Sequence, residues 1–94
     1  MYNVSITQKA TIELNQSINW YNEQKKGLGK RFYNKVKEAI KTIAKNPYSF
    51  ELRYKEIRAL PVEVFPFVIA YFIVEPNKIV ITAVFHSSRN PENL

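Results

Sequence analysis

The 94-residue chain has no cysteine, no aspartate, one histidine and two glycines. Without cysteine, a disulfide framework, a thiolate zinc site and a cysteine nucleophile are all excluded. One imidazole cannot build a histidine-based metal centre, and the lack of aspartate disfavours sites for hard cations such as Mg²⁺. We therefore expect a protein that works without a metal ion or a cofactor.

A long hydrophobic run is also missing. The longest uninterrupted apolar segment, Val64 to Val74, contains Pro66 and is far shorter than the ~20 residues that a membrane-spanning helix needs. The first residues, Met1 to Ser5, lack the basic segment followed by an apolar one that marks a signal peptide. These absences predict a small soluble protein of the cytoplasm that makes no membrane contact.

What the sequence contains is typical of a globular protein. Hydrophobic residues make up 46% of the chain and aromatic residues 14%, whereas disordered sequences are poor in both. The length suits one domain, residues 1–94, with a single modest core. The chain has 14 Lys and Arg against 8 acidic residues, and its formal charge of +6 favours an anionic partner.

The first half predicts a short strand followed by an antiparallel helix hairpin. Tyr2 to Ile6 alternates as a strand does, and Thr7 then offers a hydroxyl N-cap for a helix beginning near Gln8. Gly27 and Gly29 suit a helix end and a tight reversal. A second helix follows and ends at Asn46-Pro47. The predicted buried faces are Ala10, Leu14, Ile18 and Tyr21 in the first helix, and Leu28, Phe32, Val36, Ala39, Ile40 and Ile43 in the second.

The second half predicts a three-strand antiparallel meander. Val64 to Val74 and Ile79 to Phe85 are rich in β-branched and aromatic residues, and Glu75 to Lys78 between them is a turn. A shorter strand is expected from Arg53 to Ala59. The predicted fold is therefore α+β: an N-terminal strand, a helix hairpin and three antiparallel strands, with both helices packed on one face of the sheet.

The turn also predicts which side chains share a face of the last hairpin. With Pro76 and Asn77 as the loop, one face carries only apolar side chains and is expected to meet the helices: Val68, Ala70, Phe72 and Val74 with Phe85, Ala83, Ile81 and Ile79. The other face carries Tyr71, Thr82 and His86 and is expected to be the working surface. A slip of one residue would exchange the two faces.

Several polar side chains suit phosphodiester chemistry. Arg53, Lys55 and Arg58 lie within one short segment, and His86 and Arg89 follow the last strand. Cations bind phosphate and stabilise the charge of a phosphoryl transition state, and an imidazole moves protons near neutral pH. Tyr71 can stack on a base or donate a hydrogen bond. Structural roles are open for each: edge protection for the cations, a structural hydrogen bond for His86, a core position for Tyr71 and a backbone contact for Arg89.

A lysine-rich stripe runs along the second helix opposite its apolar face. Its members include Lys30, Lys37 and Lys41, which fall on one side at about 100° per residue. Such a stripe is typical of a solvated face, and it can equally receive an acidic protein or a phosphate backbone.

The ordered set of local motifs resembles the RelE/ParE superfamily of type II toxin–antitoxin toxins, and most of all the ParE-like branch described as plasmid stabilisation proteins. The resemblance runs from about Ile6 to Pro91. It is carried by Trp20-Tyr21, Gly27-Leu28-Gly29, Phe32, Ile43, Asn46-Pro47, Ile57-Arg58, Phe65 to Tyr71, Ala83 to His86 and Arg89-Asn90-Pro91. It implies the same α+β fold and a growth-inhibiting toxin neutralised by a cognate antitoxin, for which Lys30, Lys37 and Lys41 would form an acid-binding surface.

The resemblance leaves the cellular target open. ParE-like members poison DNA gyrase through protein contacts and need no nuclease centre. The chain departs from the nuclease pattern, because it ends in Glu92-Asn93-Leu94 without a terminal His or Tyr and its basic cluster is thinner than in the strongest RNA-cleaving members. RelE-like members cleave messenger RNA on the ribosome without a metal ion. On that alternative, Arg58, His86, Arg89 and Tyr71 would be catalytic, and Arg53 and Lys55 would bind phosphate or RNA. A third possibility is a binding domain that has kept the fold and lost toxicity.

Overall fold

The computed structural model describes residues 1–89, so the Asn90-Pro91 part of the resemblance lies outside the described residues. Two helices pack on one face of a five-stranded sheet with the order β1-β5-β4-β3-β2. The elements are β1 (Asn3–Ile6), α1 (Gln8–Gln24), α2 (Leu28–Lys45), a 3₁₀ turn (Pro47–Ser49), β2 (Leu52–Tyr54), β3 (Ile57–Pro61), β4 (Phe67–Val74) and β5 (Lys78–His86). The predicted α+β class, N-terminal strand and helix hairpin are confirmed. Within residues 1–89, no helix is long and apolar enough to cross a membrane.

Helix α1 begins as predicted, because the Thr7 hydroxyl accepts a hydrogen bond from the backbone N–H of Ala10 at 3.1 Å. The helix follows β1 and packs along β5 beyond the point where β1 ends. The predicted face of α1 points inward: Ala10, Leu14 and Tyr21 are buried, and Ile18 is half-buried.

The hairpin between the helices depends on both glycines. Gly27 has φ 86°, a left-handed conformation that strains other residues. Gly29 lies against α1, and its N–H donates to Oδ1 of Asn22 at 2.8 Å, which satisfies one free donor of the first turn of α2. Phe32, Val36, Ala39 and Ile43 of α2 are buried, in agreement with the predicted apolar stripe.

The predicted strand from Arg53 to Ala59 is two strands, and this part of the prediction was wrong. The chain reverses at Lys55 and Glu56, where Lys55 has φ 51°, so that β2 and β3 pair antiparallel. The antiparallel part of the sheet therefore has four strands, and the N-terminal strand β1 adds to β5 in parallel.

The pairing of β4 with β5 is as predicted from Phe67–His86 to Ala70–Ala83, and a bulge then shifts it so that Tyr71 lies opposite Ile81. The helices cover the face that carries Phe67, Ile69 and Tyr71. The predicted orientation of β4 was therefore wrong. Ile79 and Ile81 do face the helices as expected, because the bulge reverses the alternation along β5.

Side-chain size explains which face the helices cover. Both faces of β4 and β5 are apolar, so hydrophobicity alone does not separate them. The bulky side chains of the helix face pack with Phe32, Tyr21 and Phe65, whereas the opposite face is built largely from small side chains. That opposite face, called the far face below, carries Ala59, Val68, Ala70, Ala83 and Phe85.

Candidate functional site

A cleft of about 260 Å³ lies at one end of the far face. Arg53 reaches it from β2, and Arg89 reaches it from the turn after β5. Between the two arginines the lining is mostly apolar. It consists of Ala59, Pro61, Phe65, Pro66, Phe67, Val68, Phe85 and Ser87. We call this the cationic cleft. It brings together two of the cations predicted to bind phosphate.

Within the described residues, Arg89 is held in the cationic cleft by Glu13 and Phe85. Its Nη1 donates to Oε2 of Glu13 at 2.7 Å, and its guanidinium lies 5.5 Å from the centre of the Phe85 ring. The Arg89 side chain is 32% exposed and that of Glu13 is 15% exposed, so this ion pair is better shielded from water than an ordinary surface pair.

Glu13 in turn is fixed by the edge of the sheet. Its Oε1 accepts the backbone N–H of Val84 at 3.0 Å, on the part of β5 that β1 does not cover. Lys9 Nζ lies 3.3 Å from Oε2. Burial raises the pKa of the Glu13 carboxyl, but the hydrogen bonds from Arg89, Val84 and Lys9 outweigh burial and leave that pKa below its ordinary value of 4.5.

Arg58 lies elsewhere, on the helix side of the sheet. Its Nη1 donates to the carbonyl of Phe50 at 2.7 Å and lies 3.4 Å from that of Tyr48, and its guanidinium stacks 5.3 Å from the centre of the Tyr48 ring. These contacts tie the segment after α2 to β3. Arg58 therefore has a structural role, in which it holds the segment after α2 against the sheet.

Tyr71 lies directly opposite Arg58 and is fully buried, so the expectation that Tyr71 belongs to an exposed working face was wrong. Its hydroxyl donates to the carbonyl of Pro47 at 2.6 Å. Burial raises the pKa of Tyr71 to about 12, and the nearby charge of Arg58 acts in the opposite direction. The phenol therefore stays protonated at neutral pH and anchors the same segment as Arg58.

Replacing Tyr71 by Phe is expected to lower the free energy of unfolding by about 1–3 kcal/mol, because the Pro47 carbonyl would lose its buried partner. Urea unfolding at pH 7 measures this loss, and Tyr33→Phe, at an exposed tyrosine, is the control. The wild-type advantage is expected to shrink above pH 10, because the unfolded phenol ionises near pH 10 while the folded one stays protonated to about pH 12. Equal stability of Tyr71→Phe and wild type at pH 7 would contradict the assignment.

His86 occupies a third place. It is exposed and lies opposite Phe67, whereas Arg58 lies opposite Tyr71. Phe67 and Tyr71 are four positions apart on β4, about 13 Å along the strand. Its ring packs edge-on against Phe67 at 5.5 Å, and its Nδ1 accepts the N–H of Ser88 at 3.2 Å. His86 borders a pocket of about 490 Å³ together with Gln16, Ser17, Trp20, Tyr21, Pro66 and Phe67.

Lys55 lies at the turn between β2 and β3, exposed, with its Nζ 5.3 Å from the centre of the Tyr54 ring. The six residues predicted for phosphodiester chemistry therefore do not share one site. Arg53 and Arg89 line the cationic cleft, and Arg58 and Tyr71 anchor a connecting segment. Lys55 lies at the turn between β2 and β3, and His86 lies beside the cleft, where its ring borders the neighbouring pocket and its carbonyl accepts the Arg89 N–H at 3.0 Å. Within residues 1–89, no three His or Glu side chains are grouped so that they could hold a metal ion.

Comparison with known proteins decides the family. The sequence model of the family described as "ParE toxin of type II toxin-antitoxin system, parDE" matches residues 4–91. The chain belongs to the ParE toxin family. Among curated proteins, no relative with a matching sequence was found.

Solved structures agree with this family in their fold. The chromosomal ParDE system of P. aeruginosa matches with a TM-score of 0.78 at 19% identity, over 92% of this chain and 96% of that chain. The isolated E. coli RelE toxin matches with a TM-score of 0.71 at 12% identity, over 99% and 92% of the two chains. The intact E. coli RelBE toxin–antitoxin complex matches with 0.72 at 13% identity, over 95% and 100%. At these identities the structures support the RelE/ParE fold alone.

The lysine stripe of α2, which the sequence predicts will meet an antitoxin, lies on the surface. Lys30, Lys37 and Lys41 are exposed, and Lys37 Nζ lies 5.1 Å from the centre of the Tyr33 ring. The stripe is therefore exposed and positively charged.

Sequence reasoning missed two residues that matter to these sites. Trp20 is 55% exposed beside His86, an unusual exposure for the largest aromatic side chain. Glu13 joins α1 to Arg89. The only signal for Glu13 was its position three residues after the buried Ala10, where a carboxylate borders the apolar stripe of α1.

Proposed function

We propose that this ParE-family protein is a toxin that poisons DNA gyrase by binding it, and that a cognate antitoxin neutralises it. The observation that carries this proposal is the composition of the cationic cleft: two arginines on either side of an apolar floor. Membership of the ParE family supports the choice of gyrase, since the ParE-like branch is the one that the sequence resembles most.

The described lining of the cleft supplies groups for binding rather than for proton transfer. Arg53 and Arg89 supply charge and hydrogen-bond donors, yet within residues 1–89 the lining contains no imidazole, phenol, amine or carboxyl group. General acid–base catalysis needs such a group within hydrogen-bond reach of the reacting oxygen. This geometry favours a surface that holds a partner over one that cleaves RNA.

The same composition is typical of protein interfaces. Residues that dominate binding energy are enriched in arginine and aromatic side chains and cluster around well-packed pockets. In the cationic cleft, Arg89 stacks on Phe85, and Phe65 and Phe67 also line it. We therefore propose that this end of the far face contacts gyrase.

We propose that the antitoxin binds a different surface, the lysine stripe of α2. The exposed Lys30, Lys37 and Lys41 of α2 would attract acidic side chains, and a chain with a net charge of +6 would speed that encounter. An acidic antitoxin segment that lies along α2 is therefore the partner that this surface fits.

A ribosome-dependent endoribonuclease is the second candidate, because paired arginines also bind phosphate. That candidate would use Arg58, His86, Arg89 and Tyr71 for catalysis, with Arg53 and Lys55 on the RNA. It would require the buried Tyr71 to approach Arg89, and it would require His86, whose backbone carbonyl accepts the Arg89 N–H at 3.0 Å, to act from the neighbouring pocket. A binding domain without toxicity is the third.

The test measures gyrase and transcripts with the same purified protein. We expect gyrase-dependent DNA breaks in a supercoiling reaction that contains ATP, and intact messenger RNA in a translation extract. After induced expression in bacteria we expect filamentation and a DNA damage response. Cut transcripts with intact DNA would replace our proposal by the nuclease, and normal growth would replace it by the non-toxic domain.

Matched variants sharpen this comparison. Arg53→Ala should weaken gyrase poisoning, whereas His86→Ala should leave it unchanged, because His86 does not line the cationic cleft. Both side chains are exposed, so both variants should fold. The nuclease alternative requires the opposite, loss of about 10²–10⁴ in cleavage rate from His86→Ala. Arg58→Ala is a poor discriminator, because losing its bond to Phe50 would disturb the fold.

A further inference from the structure

The contact between Glu13 and Arg89 joins residues 76 positions apart in sequence, and it ends at the wall of the cationic cleft. One oxygen of the Glu13 carboxylate accepts from Val84 in the sheet, and the other accepts from Arg89. The hydrogen bond from Val84 therefore fixes the orientation of the carboxylate that binds the guanidinium. Among the described residues, the contact with Glu13 and the Phe85 ring hold the long Arg89 side chain in one place.

We propose that Glu13 is a positioning residue, which holds the guanidinium of Arg89 against Phe85 so that the cationic cleft is pre-formed for its partner. This inference rests on the proposed use of the cleft as a binding surface. Glu13 does not line the cleft and acts through Arg89.

Positioning and charge make opposite predictions at this site. A carboxylate beside an arginine lowers the positive potential of the cleft, so that removing the charge should strengthen binding of an acidic partner if electrostatics alone decided affinity. Ordering a flexible side chain in advance strengthens binding by reducing the entropy lost on association. The direction of the change on removing the Glu13 charge therefore separates the two effects.

Glu13→Gln is the variant that isolates the contact. The amide has nearly the shape of the carboxylate, and its oxygen can still accept from the N–H of Val84, so the edge of β5 keeps its partner. Its NH₂ group then points at the guanidinium, where two donors cannot form a hydrogen bond. Lys9→Ala is the matched control, because it removes the other cation beside Glu13 and leaves the contact with Arg89 intact.

The first measurement is the NMR spectrum of the arginine side chains in the full-length protein. We expect wild type and Lys9→Ala to give separate Nη1 and Nη2 signals for Arg89, which require slow rotation of the guanidinium. In Glu13→Gln these signals should merge or disappear while the backbone spectrum is preserved. An unchanged Arg89 signal in Glu13→Gln would overturn the proposal, whether or not the protein acts on gyrase.

The second measurement is a double-mutant cycle in activity, read as the fraction of cells that survive induction and as gyrase inhibition by purified protein. Glu13→Gln should weaken inhibition about 3- to 10-fold, and adding it to Arg89→Ala should produce no further loss. Independent, multiplying effects of the two substitutions, or tighter inhibition by Glu13→Gln, would overturn positioning. Toxicity without gyrase inhibition would instead reject gyrase as the target. The double-mutant cycle measured by cell survival would then still test the role of Glu13.

Discussion

Phe32→Ala is expected to lower the free energy of unfolding by about 3–5 kcal/mol, because it empties the centre of the aromatic core. Phe32 is fully buried, and its ring centre lies 5.1 Å from that of Tyr21, 5.2 Å from that of Phe65 and 4.8 Å from that of Phe67. These four rings come from α1, α2, β4 and the segment before β4. No single neighbour can move to fill the space without disturbing the others.

Small domains have total stabilities of about 5–15 kcal/mol, so this loss should move the unfolding midpoint to a much lower urea concentration and can unfold the free protein. Tyr33→Ala is the control, since Tyr33 is the next residue in α2 and is 40% exposed. We expect that control to cost less than about 1 kcal/mol. If Phe32→Ala unfolds at the urea concentration of wild type, the assignment of the inner face of α2 is wrong.

The helices could be predicted well because their patterns are local. The apolar stripe of α2, the Thr7 cap and the stop at Asn46-Pro47 each follow from residues a few positions apart. The faces of β4 could not be predicted, because both faces are apolar and the choice depends on contacts with distant helices. The exposure predicted for Tyr71 was wrong because its hydroxyl donates to a buried carbonyl, that of Pro47, which lies 24 residues away in sequence.

The reversal between β2 and β3 left no signal in the sequence. Lys55 adopts φ 51°, a conformation that favours glycine or asparagine, and no proline or glycine lies near it. Arg53 and Arg58 fall on opposite faces, because Arg58 lies opposite Leu52 and side chains alternate along a strand. Arg53 therefore reaches the cationic cleft, whereas Arg58 lies on the helix side. The cations that are close in sequence therefore lie at different sites in the structure.

The candidate site was only partly predictable for the same reason. Arg53 and Arg89 were both expected to bind an anion, and they do share a cleft. Phe65, which lines the cleft, and Glu13, which binds Arg89, come from segments that no short pattern connects with the two arginines. Composition and spacing indicate which side chains are available, but the tertiary pairing of α1, β2 and the turn after β5 decides which of them meet.

Gly29→Ala is the second substitution expected to have a large effect. A Cβ at this position would lie 2.4 Å from the carbonyl oxygen of Ile18 and 2.5 Å from Oδ1 of Asn22. The first of these atoms belongs to the backbone of α1 and cannot rotate away, so the two helices must separate. Overpacking typically costs about 1–3 kcal/mol, and we expect a loss near 3 kcal/mol or above here, despite the gain of up to about 1 kcal/mol in helix propensity.

Gly27→Ala provides the matched control, two residues away in the same turn. Nothing lies within 4 Å of a Cβ at Gly27, but its φ of 86° strains an alanine. The expected cost there is about 1–2 kcal/mol, from backbone strain alone. Urea unfolding of both variants therefore separates close packing from strain. A smaller loss for Gly29→Ala than for Gly27→Ala would mean that α1 and α2 do not approach each other as closely as the contact between Gly29 and Asn22 requires.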